Sequence, residues 1–275
     1  MEKKASPWFY LFLVVFVFII MFPFFWIMVT SIKPPSELFG DKAFTPWSNH
    51  FSFNNYREIF EIQPFARFIL NSLVVASLTT IYSLAIASLA AYAVARLDFP
   101  GKSIFLGLVL AVSMFPQIAT LSPIYLFLSK VGLTNSYHGL VIPYTTFALP
   151  LAVWNLTTFF KKIPFELEES AKIDGANLMQ RFYKVVFPLT LPGLFTTAIL
   201  VFIASWNEFL FSLTLNTDSA WKTVPVGIAL FEGRFTMPWG EISAASVTVT
   251  IPIVLLVLLF QKRIVSGLTA GAVKG

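Results

Sequence analysis

Long stretches without a charged residue dominate the pattern of hydrophobic and polar positions along the chain. A helix needs about 20 mostly apolar residues to cross the roughly 30 Å hydrocarbon core of a bilayer, and six charge-free stretches reach that length. The pattern therefore predicts an all-α integral membrane protein that forms one transmembrane domain over 1–275. The six predicted spans cover about 8–32, 68–95, 103–128, 139–160, 191–212 and 241–261.

The composition agrees with a membrane protein and excludes several other classes. Hydrophobic residues make up 57% of the chain and charged residues 12%, which is half the roughly 25% charged content of an average soluble domain. This excludes a soluble enzyme, a nucleic-acid binder and a disordered tail. The chain has no cysteine and therefore no disulfide or thiol nucleophile. Its two isolated histidines, His50 and His138, do not form a metal-site pattern.

The distribution of Lys and Arg between the loops predicts the orientation, because positive charges favour the cytoplasmic side. The side with both termini holds 1–7, 96–102, 161–190 and 262–275, with 12 Lys and Arg in 58 residues, whereas the opposite loops hold 7 in 73. We therefore expect both termini in the cytoplasm. The first apolar stretch, Trp8–Val29, is too long for a cleaved secretory signal.

Prolines and polar side chains interrupt several predicted spans. Each proline removes a backbone donor and bends its helix, which lipid tolerates only where protein or water satisfies the freed groups. Intramembrane polar residues commonly bond one helix to another, but together with the prolines they favour a polar path and hence transport. The interrupting prolines are Pro116, Pro123, Pro143, Pro150 and Pro252, and the candidate path residues are Asn71, Gln117, Asn155, Trp206, Asn207 and Glu208.

The segment 161–190 is predicted to fold as two short amphipathic helices. Ile163, Leu167 and Ala171 recur with helical spacing and should face inward, while Glu168 and Lys172 form an i, i+4 pair outside. A turn follows at Asp174-Gly175, because glycine adopts positive φ without steric cost. In the second helix, the inward residues are predicted to be Leu178, Phe182, Val185 and Val186.

The segment 161–190, which we call the coupling loop after the role that this likeness implies, resembles the signature of bacterial ABC importer permeases, E-A-A-x3-G-x9-I-x-L-P. The chain has Glu169-Ser170-Ala171, three residues, Gly175, nine residues, then Val185-x-Phe187-Pro188. Further segments resemble the carbohydrate-uptake, maltose-type branch of that family. They are NSLVVAS at 71–77, AAYAVARLDFPGK at 90–102, GLTNSYHGLVIPY at 132–144, IPFELEESAKIDGA at 163–176, WNEFLF at 206–211 and QKRIVSGLTAGAVKG at 261–275.

The resemblance implies the type I importer permease fold with six spans, in the cytoplasmic membrane of a bacterium or archaeon. It also implies that the loop is a coupling helix seated on an ABC ATPase dimer, with a second permease and an extracytoplasmic sugar-binding protein as further partners. Glu169 would contact the ATPase, Ala171 and Gly175 would permit close packing and the turn, and the tail after Lys262 would approach the ATPase pair. The other signature positions are Ser170, Asp174 and Pro188.

The chain itself is expected to be neither an enzyme nor a nucleotide binder. Its Gly101-Lys102-Ser103 lacks the earlier glycine of a phosphate-binding loop, since Arg96 stands there. ATP and Mg²⁺ would be used by the partner ATPase. The segment 206–208 has two interpretations. Trp206 or Asn207 could contact the sugar, or Glu208 could be a helix-end residue that is paired or hydrated near the outer interface.

Three alternatives remain open from the sequence. The solute could be a sugar phosphate or a non-sugar, which the permease resemblance does not decide. An ion-coupled secondary carrier would need buried titratable groups and often internal repeats, and Glu208 is its one candidate. An intramembrane enzyme would need a cluster of reactive side chains, which the sequence lacks.

Overall fold

A computed structural model describes residues 6–48, 50–231 and 237–272, the segment 262–272 by backbone alone. Within these ranges every regular element is helical. The predicted tail 262–275 lies wholly outside the described side chains. The α-helices are α1 (Pro7–Ser31), α2 (Asn54–Ile62), α3 (Phe65–Arg96), α4 (Lys102–Met114), α5 (Gln117–Lys130), α6 (Tyr137–Lys161), α7 (Glu166–Ile173), α8 (Leu178–Arg181), α9 (Phe187–Leu189), α10 (Leu191–Trp206), α11 (Leu210–Leu215), α12 (Val224–Ala229) and α13 (Trp239–Ala272).

Four of the described helices are long and apolar enough to cross a membrane unaided: α1, α3, α6 and the part of α13 up to Gln261. Two further candidates are bent pairs, α4 with α5 at 96° and Leu178–Leu189 with α10 at 76°. If each bent pair forms one span, the total is six, as the charge pattern predicts.

The third predicted span, 103–128, is broken at Phe115-Pro116. Phe115 has extended backbone angles, φ −74° and ψ 129°, because the ring of a following proline disfavours the helical region. The chain resumes as α5 directly after Pro116. By contrast, Pro143 and Pro150 lie within the continuous helix α6, so a proline alone does not determine where a span breaks.

The fifth predicted span, 191–212, is also not continuous. Helix α10 ends at Trp206, Asn207 caps it, and a separate short helix, α11, begins at Leu210. Before α10, the helical segment ending at Leu189 turns sharply at Thr190. The coupling loop is therefore joined to the membrane helix through a bend.

The described chain divides into two compact units, 67–226 with 252–275, and 1–66 with 227–251. In the first unit, buried side chains of α3, α6, α10 and the coupling loop form one apolar core. Helices α6 and α10 pack tightly at Gly193, where a Cβ atom would lie 2.3 Å from the ring of Phe159. Only a residue without a side chain fits this crossing.

In the second unit, a buried lysine organises the segment after α1. The Lys33 ammonium donates hydrogen bonds to the carbonyls of Lys42 and Ala43, both at 3.2 Å, and to that of Thr45. The Asn55 side chain of α2 donates to the carbonyls of Ser31 and Lys33, at 2.9 and 3.0 Å. These contacts fix a folded segment between α1 and α3.

Candidate functional site

Ile163 is buried as predicted, but the first helix of the coupling loop, α7, turns inward a face about 100° from the predicted one. Glu168 is 1% exposed, whereas Leu167 is 43% exposed. The expected external pair of Glu168 with Lys172 is therefore wrong. The reason is a long-range partner, because the guanidinium of Arg96 at the end of α3 reaches the Glu168 carboxylate at 2.7 Å.

The signature residues of α7 lie on its outer side. Glu169 and Ser170 are exposed, and Ala171 is half-buried. The Ser170 hydroxyl donates to the Glu166 carbonyl at 2.9 Å, so serine at the position of the signature's first alanine satisfies its hydroxyl within the helix. The carboxylate of Glu169 is therefore accessible to a partner protein.

The turn expected at Asp174-Gly175 is present and closes α7 with a Schellman motif. Gly175 has φ +87°, its amide donates to the Lys172 carbonyl at 3.0 Å, and the next amide, that of Ala176, donates to Ala171 at 2.9 Å. A Cβ at Gly175 would meet nothing within 4 Å. The requirement for glycine therefore comes from the backbone angle and not from crowding.

The second half of the loop departs from the predicted amphipathic helix. Phe182 and Val186 are buried as expected, but Leu178 is exposed and Arg181 is half-buried. A π-helical turn over Phe182–Val186 causes this, since its extra residue rotates the buried face relative to α8. Val185 is consequently only half-buried.

Two features of the loop were missed in the sequence analysis. Asn177 and Gln180 form a capping box at the start of α8, with both bonds at 2.9 Å, and the N-x-x-Q spacing was the available signal. Ile173 beside the glycine turn is 86% exposed. With Leu167, Leu178 and Met179 it leaves apolar side chains uncovered, which is typical of a surface that contacts another molecule.

The end of the loop contains Pro188, the last signature position. It lies within the short helix α9 and is exposed. The next residue but one, Thr190, is buried and bonds through its hydroxyl to the carbonyls of Val186 and Phe187, at 3.1 and 2.8 Å. These bonds satisfy carbonyl groups at the bend before α10.

A second candidate site is a cavity of about 100 Å³ between α6, α10 and the start of α5. Its polar lining residues are Gln117, Tyr144, Ser205 and Glu208, and the rest of the lining is apolar or aromatic. The Glu208 carboxylate accepts the backbone amides of Phe211 at 2.9 Å and Ser212 at 3.3 Å. It therefore holds the start of α11 while facing the cavity.

The six predicted path residues fall into two groups. Gln117 lines the cavity of Glu208 and also a neighbouring cavity that Asn155 lines. Asn71, Trp206 and Asn207 are not among the residues that line these two cavities. The structure thus brings together Gln117, Asn155 and Glu208, three of the six predicted path residues, around adjoining cavities.

Each member of the second group is engaged in local structure. Asn71 donates to the carbonyls of Ala220 and Lys222, both at 2.9 Å, and accepts from the Tyr137 hydroxyl. Trp206 is buried against Phe202 with the ring centroids 5.9 Å apart. Asn207 is exposed and donates to the Ile203 carbonyl.

Comparison with known families shows which family the chain belongs to. Residues 83–269, more than half of the chain, match the inner membrane component of binding-protein-dependent transport systems. The chain belongs to this family. The matched range contains the whole coupling loop together with Gln117, Asn155 and Glu208, whereas Asn71 lies outside it.

Several curated permeases match almost the whole chain. The trehalose transport system permease protein SugB of Mycobacterium tuberculosis is 45% identical, covering 93% of this chain and 93% of its own. The trehalose/maltose transport system permease protein MalG of Thermococcus litoralis is 44% identical, covering 94% and 92%. The sulfoquinovosyl glycerol transport system permease protein SmoH of Agrobacterium fabrum is 43% identical, covering 93% and 89%.

Solved structures show that the fold is that of ABC transporter permeases. A chain of a bacterial ABC transporter involved in the import of the acidic polysaccharide alginate superposes with a TM-score of 0.79 at 20% identity, covering 95% of this chain and 99% of its own. A chain of the MetNI methionine ABC transporter reaches a TM-score of 0.55 at 18% identity, covering 74% and 94%. The predicted all-α permease fold is confirmed.

Proposed function

We infer that this chain is a membrane-spanning permease subunit of an ABC importer that takes up a sugar or oligosaccharide. The observation that carries this inference is the coupling loop, whose signature glutamate is exposed beside a glycine turn in a chain of the permease family. The similar permeases SugB, MalG and SmoH are named for trehalose, trehalose/maltose and sulfoquinovosyl glycerol. Their shared chemistry is a glycoside, which we propose as the class of solute.

The coupling loop is proposed to lie in the cytoplasm on one subunit of an ATPase dimer. Glu169 offers a carboxylate, Ile173 an exposed apolar side chain, and Gly175 a turn without a side chain to obstruct approach. ATP and Mg²⁺ are bound and used by the ATPase, and its closure moves the loop. Both termini then lie in the cytoplasm, in agreement with the higher density of Lys and Arg on that side.

The membrane helices are proposed to form half of a translocation path, with a second permease chain forming the other half. Gln117, Asn155 and Glu208 line adjoining cavities in the first unit and offer amide and carboxylate groups that bind sugar hydroxyls. An extracytoplasmic binding protein delivers the solute. A structure of similar fold, a bacterial alginate ABC transporter in complex with an alginate pentasaccharide-bound periplasmic protein, supports this step.

The test is purification of the tagged chain from its native membrane in mild detergent, followed by identification of the proteins that accompany it. We expect an ATPase with a phosphate-binding loop and a second permease. The assembled complex in proteoliposomes, supplied with the binding protein encoded by a neighbouring gene, should import radiolabelled trehalose or maltose only when ATP is enclosed. A chain that purifies alone and moves solute with a proton or sodium gradient would overturn the proposal in favour of a secondary carrier.

A further inference from the structure

Two consecutive carboxylates of α7 have opposite environments. Glu169 is exposed, while Glu168 is 1% exposed. Successive residues of a helix are separated by about 100° around its axis, so one short helix presents one acid to the solvent and the next to the body of the protein. The family signature includes the first of these positions and leaves the second unexplained.

The buried carboxylate is bound by two side chains of α3. The Tyr92 hydroxyl donates to Glu168 Oε2 at 2.8 Å, and Arg96 Nε lies 2.7 Å from Oε1. Arg96 also donates from Nη2 to the carbonyl of Ile163 at 2.7 Å. One guanidinium thus joins the end of α3, the segment between α6 and α7, and α7 itself.

Aromatic packing supports this cluster. The ring of Tyr92 lies 5.0 Å from that of Phe182 in the second half of the loop and 6.3 Å from that of Phe160 at the end of α6. The Arg96 side chain is 7% exposed and stands over the ring of Phe165, 5.8 Å from its centroid. The carboxylate, the guanidinium and the phenol are therefore held in one arrangement from several sides.

Such a cluster is a costly way to gain stability alone. Two buried charges lose their hydration, and apolar side chains of similar volume often hold a protein together as well or better. What the hydrogen bonds of Tyr92 to Glu168 and of Arg96 to the Ile163 carbonyl add is direction, because each is satisfied only at a defined distance and angle. A cluster of this kind opposes rotation and sliding of α7 relative to α3.

We propose that Glu168 is a positioning residue that, with Arg96 and Tyr92, fixes α7 rigidly to the end of α3. Movement imposed on the loop is then carried to this membrane helix as one displacement, instead of being absorbed at the loop. This inference rests on the proposed function, because it requires an ATPase that moves the loop.

The first test measures how much sugar the reconstituted complex imports for each ATP hydrolysed. Glu168→Gln keeps the size of the side chain and removes its charge, and Glu166→Gln removes the same charge from an exposed position of α7. We expect the Glu168 variant to bind the ATPase but to import at least about tenfold less sugar per ATP, because it loses the ion pair with Arg96 and offers the Tyr92 hydroxyl only a neutral acceptor. The control should keep the wild-type ratio.

The second test measures rigidity directly. The chain has no cysteine, so Asp98→Cys beyond α3 and Lys172→Cys on α7, both exposed positions, can be spin-labelled in a complex with cysteine-free partners. In the wild-type background the distance between the labels should keep the same narrow distribution with and without ATP. With Glu168→Gln the distribution should broaden.

Each outcome is decisive. An unchanged ratio of import to hydrolysis in Glu168→Gln, or a label distance that changes with ATP in a fully active complex, overturns the proposal. If Glu168→Gln does not assemble, Tyr92→Phe decides, because it keeps the ring and should lower the ratio about two- to tenfold; an unchanged ratio there overturns it too. A wild-type chain that never binds an ATPase instead refutes the proposed function, before any variant is made.

Discussion

The glycine at the turn of the coupling loop allows the docking proposal to be tested with a defined strain. Gly175 has φ +87° and open space around its Cβ direction, so a substitution there acts through the backbone and not through a clash. An L-residue in the left-handed region costs about 1–2 kcal/mol, and valine, which is β-branched, is at the upper end. If the strain opens the turn, the affinity for the ATPase should fall by about 5- to 30-fold.

A matched control exists elsewhere in the chain. Gly101, at the start of α4, has φ +86° and equally open space, so Gly101→Val carries the same strain outside the coupling loop. Binding of the fluorescent ATPase to each variant in nanodiscs gives the two affinities. We expect Gly175→Val to weaken binding and Gly101→Val to leave it close to wild type. Equal affinities for the two variants would refute a role of the 174–175 turn in docking.

Three further predictions concern the body of the protein. Gly193→Ala should lower the free energy of unfolding by about 1–3 kcal/mol through overpacking of α6 against α10, which is measured as a lower unfolding temperature in detergent. Gly107→Ala is the control, because its Cβ would meet nothing within 4 Å, and it should not lower the unfolding temperature. Burial and then repulsion from Glu241 raise the pKa of Glu58 above its ordinary 4.5, so the ionised form of Glu58 is disfavoured in the folded state. Glu241→Gln removes the repulsion and should therefore stabilise the folded protein above about pH 5, where Glu58 is ionised, and not below about pH 4. Lys33→Met should lower the free energy of unfolding of the segment after α1 by about 1.5–3 kcal/mol, the usual contribution of hydrogen bonds to a charged group. The measurement is the rate of proteolysis of that segment, which should rise.

The apolar spans and the glycine turn could be predicted from the sequence because each depends on local information. Segment length and charge decide whether a helix can cross a bilayer, and Asp174-Gly175 has few low-energy backbone choices. The inward face of α7 could not be predicted this way. A helical face defined by apolar residues points Glu168 outward, and two distant residues, Arg96 at 2.7 Å and Tyr92 at 2.8 Å, reverse that preference.

The candidate path shows the same division between local and long-range information. Polarity within a span was a sufficient signal to select Asn71, Gln117 and Glu208, since a polar residue in lipid needs a partner. Polarity does not say whether that partner is the protein or a solute. Asn71 bonds to backbone carbonyls about 150 residues later in the chain, and Gln117 lines a cavity, yet the two residues look alike in the sequence.

The two carboxylates of α7, Glu168 and Glu169, should respond differently to the loss of their charge. Breaking a buried ion pair by removal of one partner typically costs about 3–5 kcal/mol, whereas an exposed pair is typically worth no more than about 1 kcal/mol. The pair of Glu168 with Arg96 is of the first kind, and the proposed contact of the exposed Glu169 with an ATPase is of the second kind. Removing the charge of Glu168 should therefore destabilise the contact of α7 with α3 by more than removing the charge of Glu169 weakens the binding of the ATPase.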